Sequence, residues 1–450
     1  MIEARTADLT RLKDSSIEMT NEETFANHLD RINSVPAWLL DLKRTAWNNF
    51  ITAPMPKRSE DTWRFSNTQS LNLDNYHQVS EIKSIEDEAL KEQSDQLDSI
   101  AGKIIFADDH QCGGVEFSTE LDGKGVIWTT LEDAIVNHSD LVKKYFTDAL
   151  PNLGAEKFGS LHHALSANGT FLYIPRGVEI EFPFATYNWT STEGMAVFPH
   201  TIIIADDNAK VSFVNFFKSV KPDIRNLAIS CSNIYAGTGS QISYAAAQDW
   251  NLETQSYHLN TANVERDAYI KSININIGSS YMRHEHHARM LDSGSKVDTY
   301  SLSVTDGDQE FDQRSLQTHS APHTVSNLLF KNTLLDQSRT IFSGLIRVDE
   351  NAQKTDAYQT NRNLLLSDIA EANSLPGLEI LADDVKCSHG ATSGRLDQNQ
   401  LFYMLSRGIP KRTAQQLMVF GFFEEIIDKF DNQELANNVR SIILGKLNNQ

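Results

Sequence analysis

Cysteine is scarce in this chain. Only Cys112, Cys231 and Cys387 occur in 450 residues, and none forms a CxxC pair. That excludes a disulfide framework and a self-contained zinc ribbon or ferredoxin-type site, both of which need clustered thiols. Basic charge is also in deficit. Sixty acidic against forty basic residues give a net charge of −20 and a pI near 5.1, which argues against a phosphate-binding surface for nucleic acid. No apolar run approaches the roughly 20 residues that span a bilayer. The N-terminus, Met1-Ile2-Glu3-Ala4-Arg5-Thr6-Ala7-Asp8, is mixed and polar with no signal core behind it. The reducing cytoplasm is therefore the expected compartment, with no membrane partner. There is no GxxxxGK[ST] run for binding ATP directly, and no GxSxG elbow.

The hydrophobic content, 40%, is that of a folded protein with a large core. Three regions follow one another: 1–154, mainly helical; 155–395, an all-β body; and 396–450, helical again. In the first, Pro36 starts Ala37-Trp38-Leu39-Leu40, and Ala46, Trp47 and Phe50 continue the stripe. Residues 81–100 are charged and read as a solvated helix or linker. Cys112, before Gly113-Gly114, reads as a small buried or turn-adjacent thiol.

In the second region Phe158 to Leu165 reads as a short helix. Strand-like alternation then appears in Thr170 to Ile174 and Val178 to Phe182. Turn residues recur ahead of β-branched marks at Val211, Ile242, Ile270 and Val297, with intervals of 31 (211 to 242), 28 (242 to 270) and 27 (270 to 297) residues. Val325, Thr355 and Val385 continue the spacing loosely. A sandwich gives no reason for so constant an interval. A parallel β-helix does, because each coil stacks on the last. In the third region Asp397 is an N-cap, Gly408 a helix stop and Pro410 a new start. One apolar side carries Ala414, Leu417, Met418, Phe422, Ile426, Ile427 and Phe430. A last helix carries Leu435, Val439, Ile442, Ile443 and Leu447. These faces cover one another or meet a partner groove.

The sharpest chemical feature is Lys386-Cys387-Ser388-His389-Gly390-Ala391-Thr392. On a strand, Cys387 and His389 project to the same side. Thiolate and imidazole suit iron, iron–sulfur clusters or zinc, but two ligands do not complete a site. The bland alternative is a hydrogen-bonded structural histidine beside a small buried thiol. His284-Glu285-His286-His287 has metal-compatible spacing too, yet a surface or coil-stacking role fits a mid-solenoid position better. His162-His163, and His319 with His323, read as structural.

The chain resembles the SufB/SufD family of the SUF iron–sulfur cluster assembly system. The residues that carry this are Asn363 to Asp368, Leu378-Glu379-Ile380, Ala382 to Thr392, Asp397, Gln400 to Tyr403 and Ser406 to Ile409, with Pro36 to Leu39 and Asp61 to Arg64 fitting more weakly. Leu381, Ser393 and Arg395 depart from the pattern. Within the family three cysteines favour the SufD branch over SufB. The resemblance implies a right-handed parallel β-helix flanked by N- and C-terminal helical parts. It implies pairing with SufB through the β-helix end and with the ATPase SufC through the C-terminal helices, where Leu401, Phe402, Tyr403, Arg407, Gly408 and Ile409 would make contact. It further implies a non-catalytic scaffold, with iron or a nascent cluster reaching Cys387 and His389 at an interface shared with SufB, and ATP hydrolysis in SufC. Whether the chain pairs with itself stays open. The rival reading of another class is a β-helix carbohydrate-active enzyme using a row of groove carboxylates.

Overall fold

The computed structural model describes residues 21–32, 35–74, 76–78, 87–146 and 150–448. The polar N-terminus and residues 81–86 of the charged stretch lie outside these; Asp87–Gln93 is a helix.

From Gly169 onward the chain alternates between two sheets, building a parallel β-solenoid of about eight turns. One sheet stacks Phe184–Thr190, Lys210–Ser219, Gln241–Asp249, Tyr269–Asn276, Lys296–Thr305, Val325–Leu334, Asp356–Leu365 and Lys386–Arg395. The other runs from Gly169–Ile174 through His200–Ala205, Asn226–Ala236, Thr254–Val264, Tyr281–Met290, Glu310–His319 and Arg339–Val348 to Glu371–Ile380. The turn residues do the cornering. Asn208 sits at φ 56°, a left-handed conformation that asparagine tolerates. Gly239 sits at φ 70° on the next corner, where a Cβ would come within 2.5 Å of Asn208 Oδ1. Glycine lets those two corners stack without strain and without displacing the Asn208 side chain.

The repeat marks occupy one continuous rung line. Val211, Ile242, Ile270 and Val297 stand in register and are wholly buried. Burying each aliphatic side chain contributes about 1.5–3 kcal/mol. The same line continues as Ser326, Ala357 and Cys387, so Val325, Thr355 and Val385 lie one or two residues off it. Thr170 to Ile174 is a strand as expected, whereas Val178 to Phe182 is not. There Arg176-Gly177 turns the chain, only Glu179 bridges to Lys210, and Phe182 is exposed.

The interior changes character along the axis. Its first coils hold Leu172, Phe184, Ile203, Phe213 and Phe217. The later coils hold a polar ladder in register: Gln248, Asn276, Ser303, Asn332, Asn363 and Ser393. Asn332 Nδ2 donates to Asn363 Oδ1 at 2.8 Å, and Asn363 Nδ2 donates to Ser393 Oγ at 3.1 Å.

The N-terminal part is helical at Glu22–Arg31, Ala37–Thr52, Leu131–Asn137 and Ser139–Phe146. It also supplies strands. Gly102–Ala107 pairs parallel with Phe184–Thr190, and Ile127–Thr130 pairs antiparallel with Gly169–Ile174. A buried ionic network pins this part to the solenoid flank. Arg283 Nε meets Glu285 at 2.8 Å and Nη1 meets Asp312 at 2.7 Å, Nη2 donates to the Leu153 carbonyl at 2.7 Å, and the guanidinium lies 3.8 Å from the Trp63 ring centroid. Burial alone raises the Asp312 pKa, but Arg283 and Arg314 outweigh it and hold the carboxyl below its ordinary value.

At the C-terminus, Asp397 caps Gln398–Ser406 by accepting from the Asn399 and Gln400 amides, and Gly408 at φ 83° ends the turn. Helices Lys411–Ile427 and Gln433–Asn448 bury Ala414, Val419, Phe423, Ile426, Ile427, Val439 and Ile443. They lie on the outer face of the first sheet, against Ile273, Ile275, Leu302 and Leu329, rather than only on each other. Leu417, expected on that apolar side, is half exposed.

Candidate functional site at the open end

The two final strands, Glu371–Ile380 and Lys386–Arg395, each have a neighbour on one side only among the described residues. They close the last coil and leave its mouth uncovered. Inward positions are sealed in the coil beneath, where Ala357, Gln359 and Asn361 are buried. One rung further out they face open space: Cys387 sits above Ala357, His389 above Gln359 and Ala391 above Asn361. Alternation therefore brings the thiol and imidazole to the same inward side, as the spacing requires.

Their environments differ. Cys387 is half-buried against Ile346, Val348, Ala352 and Ala382. Burial pushes its thiol above the ordinary value, the nearby Asp356 carboxylate pushes the same way, and a backbone hydrogen bond at Ala357 opposes both. The thiol keeps its proton at neutral pH, and a metal would have to displace it. His389 is exposed. Among the described residues no three His, Cys, Asp or Glu side chains converge to hold a metal ion. Around the mouth, Ile369, Leu378, Ile380 and Leu381 are exposed apolar residues. Arg395, one of the departures, pairs with Asp368 at 2.8 Å on the surface.

The other histidines have local duties. His284 and His286 face the interior, wholly buried, with Nε2 atoms near Asn260 Nδ2 (3.1 Å) and Thr299 Oγ1 (3.3 Å). Glu285 and His287 face outward, to Arg283 and Thr318. His162 bonds the Ile229 carbonyl and His200, and His319 bonds Thr324 and Ser326. Cys112 and Cys231 are buried.

The helix after the last strand presents Phe402 and Tyr403 to solvent at 72% and 58% exposure, with Arg407 over the Tyr403 ring at 5.1 Å. Gly408 is exposed and Ile409 half-buried, but Leu401 points inward and is buried. A groove of about 460 Å³, lined by Leu364, Leu396, Met404, Leu417, Met418 and Phe422, runs beside this helix. The Arg283 network has no counterpart in the sequence reading. Its partners lie up to 250 residues apart (Arg64 to Arg314), and no local pattern joins them.

The sequence matches two family descriptions in tandem. Residues 15–185 match the SufBD protein N-terminal region, and residues 188–422 match the SufBD core domain of SUF system FeS cluster assembly. The chain belongs to the SufBD family. It is 28% identical to the iron–sulfur cluster assembly protein SufD of Bacillus subtilis, over 96% of this chain and 99% of that one. Iron–sulfur cluster assembly SufBD family proteins of Staphylococcus haemolyticus and Staphylococcus epidermidis are 25% and 24% identical, each over 89% of this chain and 88% of theirs. This SufBD chain is thus a SufD-like member of an iron–sulfur cluster assembly family. No helix among its described residues is long and apolar enough to cross a membrane.

Proposed function

We propose that this SufBD protein is the SufD-type accessory scaffold of a SUF complex, with no turnover of its own. Its open solenoid end pairs with a SufB-type subunit, and iron or a nascent cluster passes between them as cargo. Cys387 and His389 supply half of a ligand set that the partner completes. The observation that carries this reading is the placement of those two side chains: inward-facing, on a terminal strand paired along one edge only, in a coil with nothing over it among the described residues. Unpaired strand edges are templates for another chain, and the exposed Leu378 and Leu381 give that contact an apolar border.

The chain divides by function at 1–154, 155–395 and 396–450. The last segment docks the ATPase SufC through Phe402, Tyr403, Arg407, Gly408 and Ile409, while Leu401 shapes the helix from beneath. Lys331 Nζ reaches Glu425 Oε2 at 2.6 Å and the Phe422 carbonyl at 2.7 Å, and Arg362 reaches the same carboxylate at 3.0 Å. Those contacts tie helix Lys411–Ile427 to strand Asp356–Leu365, which carries the Cys387 strand. Motion of SufC on ATP binding would reach the mouth by this route and open the interface.

The test is co-expression with SufB- and SufC-type partners and purification without oxygen. The parent complex is expected to carry an iron chromophore that His389→Ala removes. An undiminished chromophore in His389→Ala overturns the reading.

A further inference from the structure

The rung beneath the mouth holds two buried polar atoms without hydrogen-bond partners among the described residues. Gln359 and Asn361 stand in register under His389 and Ala391, and both are almost wholly buried. Gln359 Nε2 donates to the Gly344 carbonyl at 3.1 Å, and Gln359 Oε1 has no hydrogen-bond partner. Asn361 Oδ1 accepts from Ser374 Oγ at 2.7 Å and from Asn363 Nδ2 at 3.0 Å, and Asn361 Nδ2 has no partner. Each such orphan costs about 1–3 kcal/mol and calls for a reason. The arrangement is also made room for. A Cβ at Gly344 would collide with the Gln359 amide, so glycine at that position lets the amide lie flat across the coil. Above the rung, Ala391 is small and His389 is exposed.

One acceptor under the imidazole and one N–H donor beside it match the two things a histidine-bound iron–sulfur cargo lacks. A ligating imidazole needs an acceptor for its second N–H, which fixes the ring and its tautomer. A cluster's sulfurs are tuned by N–H donors. We propose that Gln359 and Asn361 are positioning residues of the cargo site, Gln359 Oε1 accepting from the His389 ring and Asn361 Nδ2 donating to an anionic sulfur held over Ala391. This rests on the reading of His389 given above.

The experiment uses the full-length chain in complex with SufB- and SufC-type partners, purified without oxygen, and reads bound iron and the midpoint potential of the chromophore. Gln359→Met is expected to lower bound iron several-fold. Gln359→Glu, which keeps an oxygen at the Oε1 position, is expected to restore it. A merely structural role predicts that both fail, because both lose the bond to Gly344. Asn361→Asp keeps the Oδ1 acceptor and removes the donor, so its complex is expected to shift to a more negative midpoint. If Gln359→Met does not assemble, Gly344→Ala displaces the amide by a separate route and is expected to lose iron likewise. Parent-like iron and potential in these variants, with His389→Ala empty, overturn this inference alone. Iron retained by His389→Ala removes the underlying reading and this one together.

Discussion

The two ends of the solenoid meet the same physical problem in opposite ways. At the first end the chain covers its own edges. Ile127–Thr130 lies antiparallel on Gly169–Ile174, while His110–Gln111 and Glu116–Phe117 flank Gly102–Ala107. Trp128 plugs the interior, its ring tilted against Phe184 at 4.8 Å and edge-on to Phe213 at 6.0 Å between centroids. At the last end no described strand, plug or helix closes the coil; the inward side chains of Lys386–Arg395 are small or polar, and those of Glu371–Ile380 include the part-exposed Leu378 and Ile380. A sheet edge is an aggregation hazard that chains usually blunt with charge, proline or a cover. Here one end follows that rule. The other, in our reading, is left for a neighbour to finish.

Acid should separate the sealed body from the mouth most strongly. His162, His200, His258, His284, His286 and His319 are buried, and burial holds every one of these imidazoles below the ordinary value, to about 3 for His200 and His258 and about 4 for His286 and His319. Below about pH 6.5 the unfolded chain takes up protons that the folded one refuses, so stability falls as pH drops from there toward the folded values. Between pH 7 and 5.5 six such groups cost on the order of 7 kcal/mol, comparable to a whole domain's stability. Urea midpoints across that range are expected to collapse, equally in the parent and in His389→Ala. A flat profile would show the buried imidazoles to be hydrated and to take up protons as readily as in the unfolded chain.

A second contrast is steric. Trp128→Ala at the plugged end is expected to cost about 3–5 kcal/mol in denaturant unfolding, as for other buried aromatics. Leu378→Ala at the mouth should cost under about 0.5 kcal/mol, as surface changes do. Equal losses at both positions would erase the distinction between the ends. The smallest stability effect is expected from Leu378→Asp with Leu381→Asp, within about 0.5 kcal/mol. That pair should nevertheless abolish co-purification with a SufB-type partner, read by size-exclusion chromatography; persistence of the complex would move the interface elsewhere.

The architecture was legible because its signal is one-dimensional. Val211, Ile242, Ile270 and Val297 are bulky and sit on one buried line. Past Val297 the rung turns to Ser326, Ala357 and Cys387, so β-branched neighbours such as Val325 drew the marks off register. The helix caps at Asp397 and Gly408 were readable because capping is local. The interior of the later coils was not, since Gln313, Asn332 and Gln359 look like surface residues until stacking encloses them. Strand Gly102–Ala107 fell within the expected helical part because its partner, Phe184–Thr190, lies about 80 residues downstream. Cys387 and His389 were visible as a motif. Gln359 and Asn361, a coil earlier, carry no signal of their own in one sequence.

The half-sunk position of Cys387 bears on how the lone subunit survives before assembly. Oxidants and disulfides react with the thiolate, and a thiol held in its protonated form presents little of it. In the complex proposed above, a subunit waiting without its neighbour would in this way be protected from sulfenic acid and mixed-disulfide damage, and an arriving metal would be the event that uncovers the sulfur's reactivity.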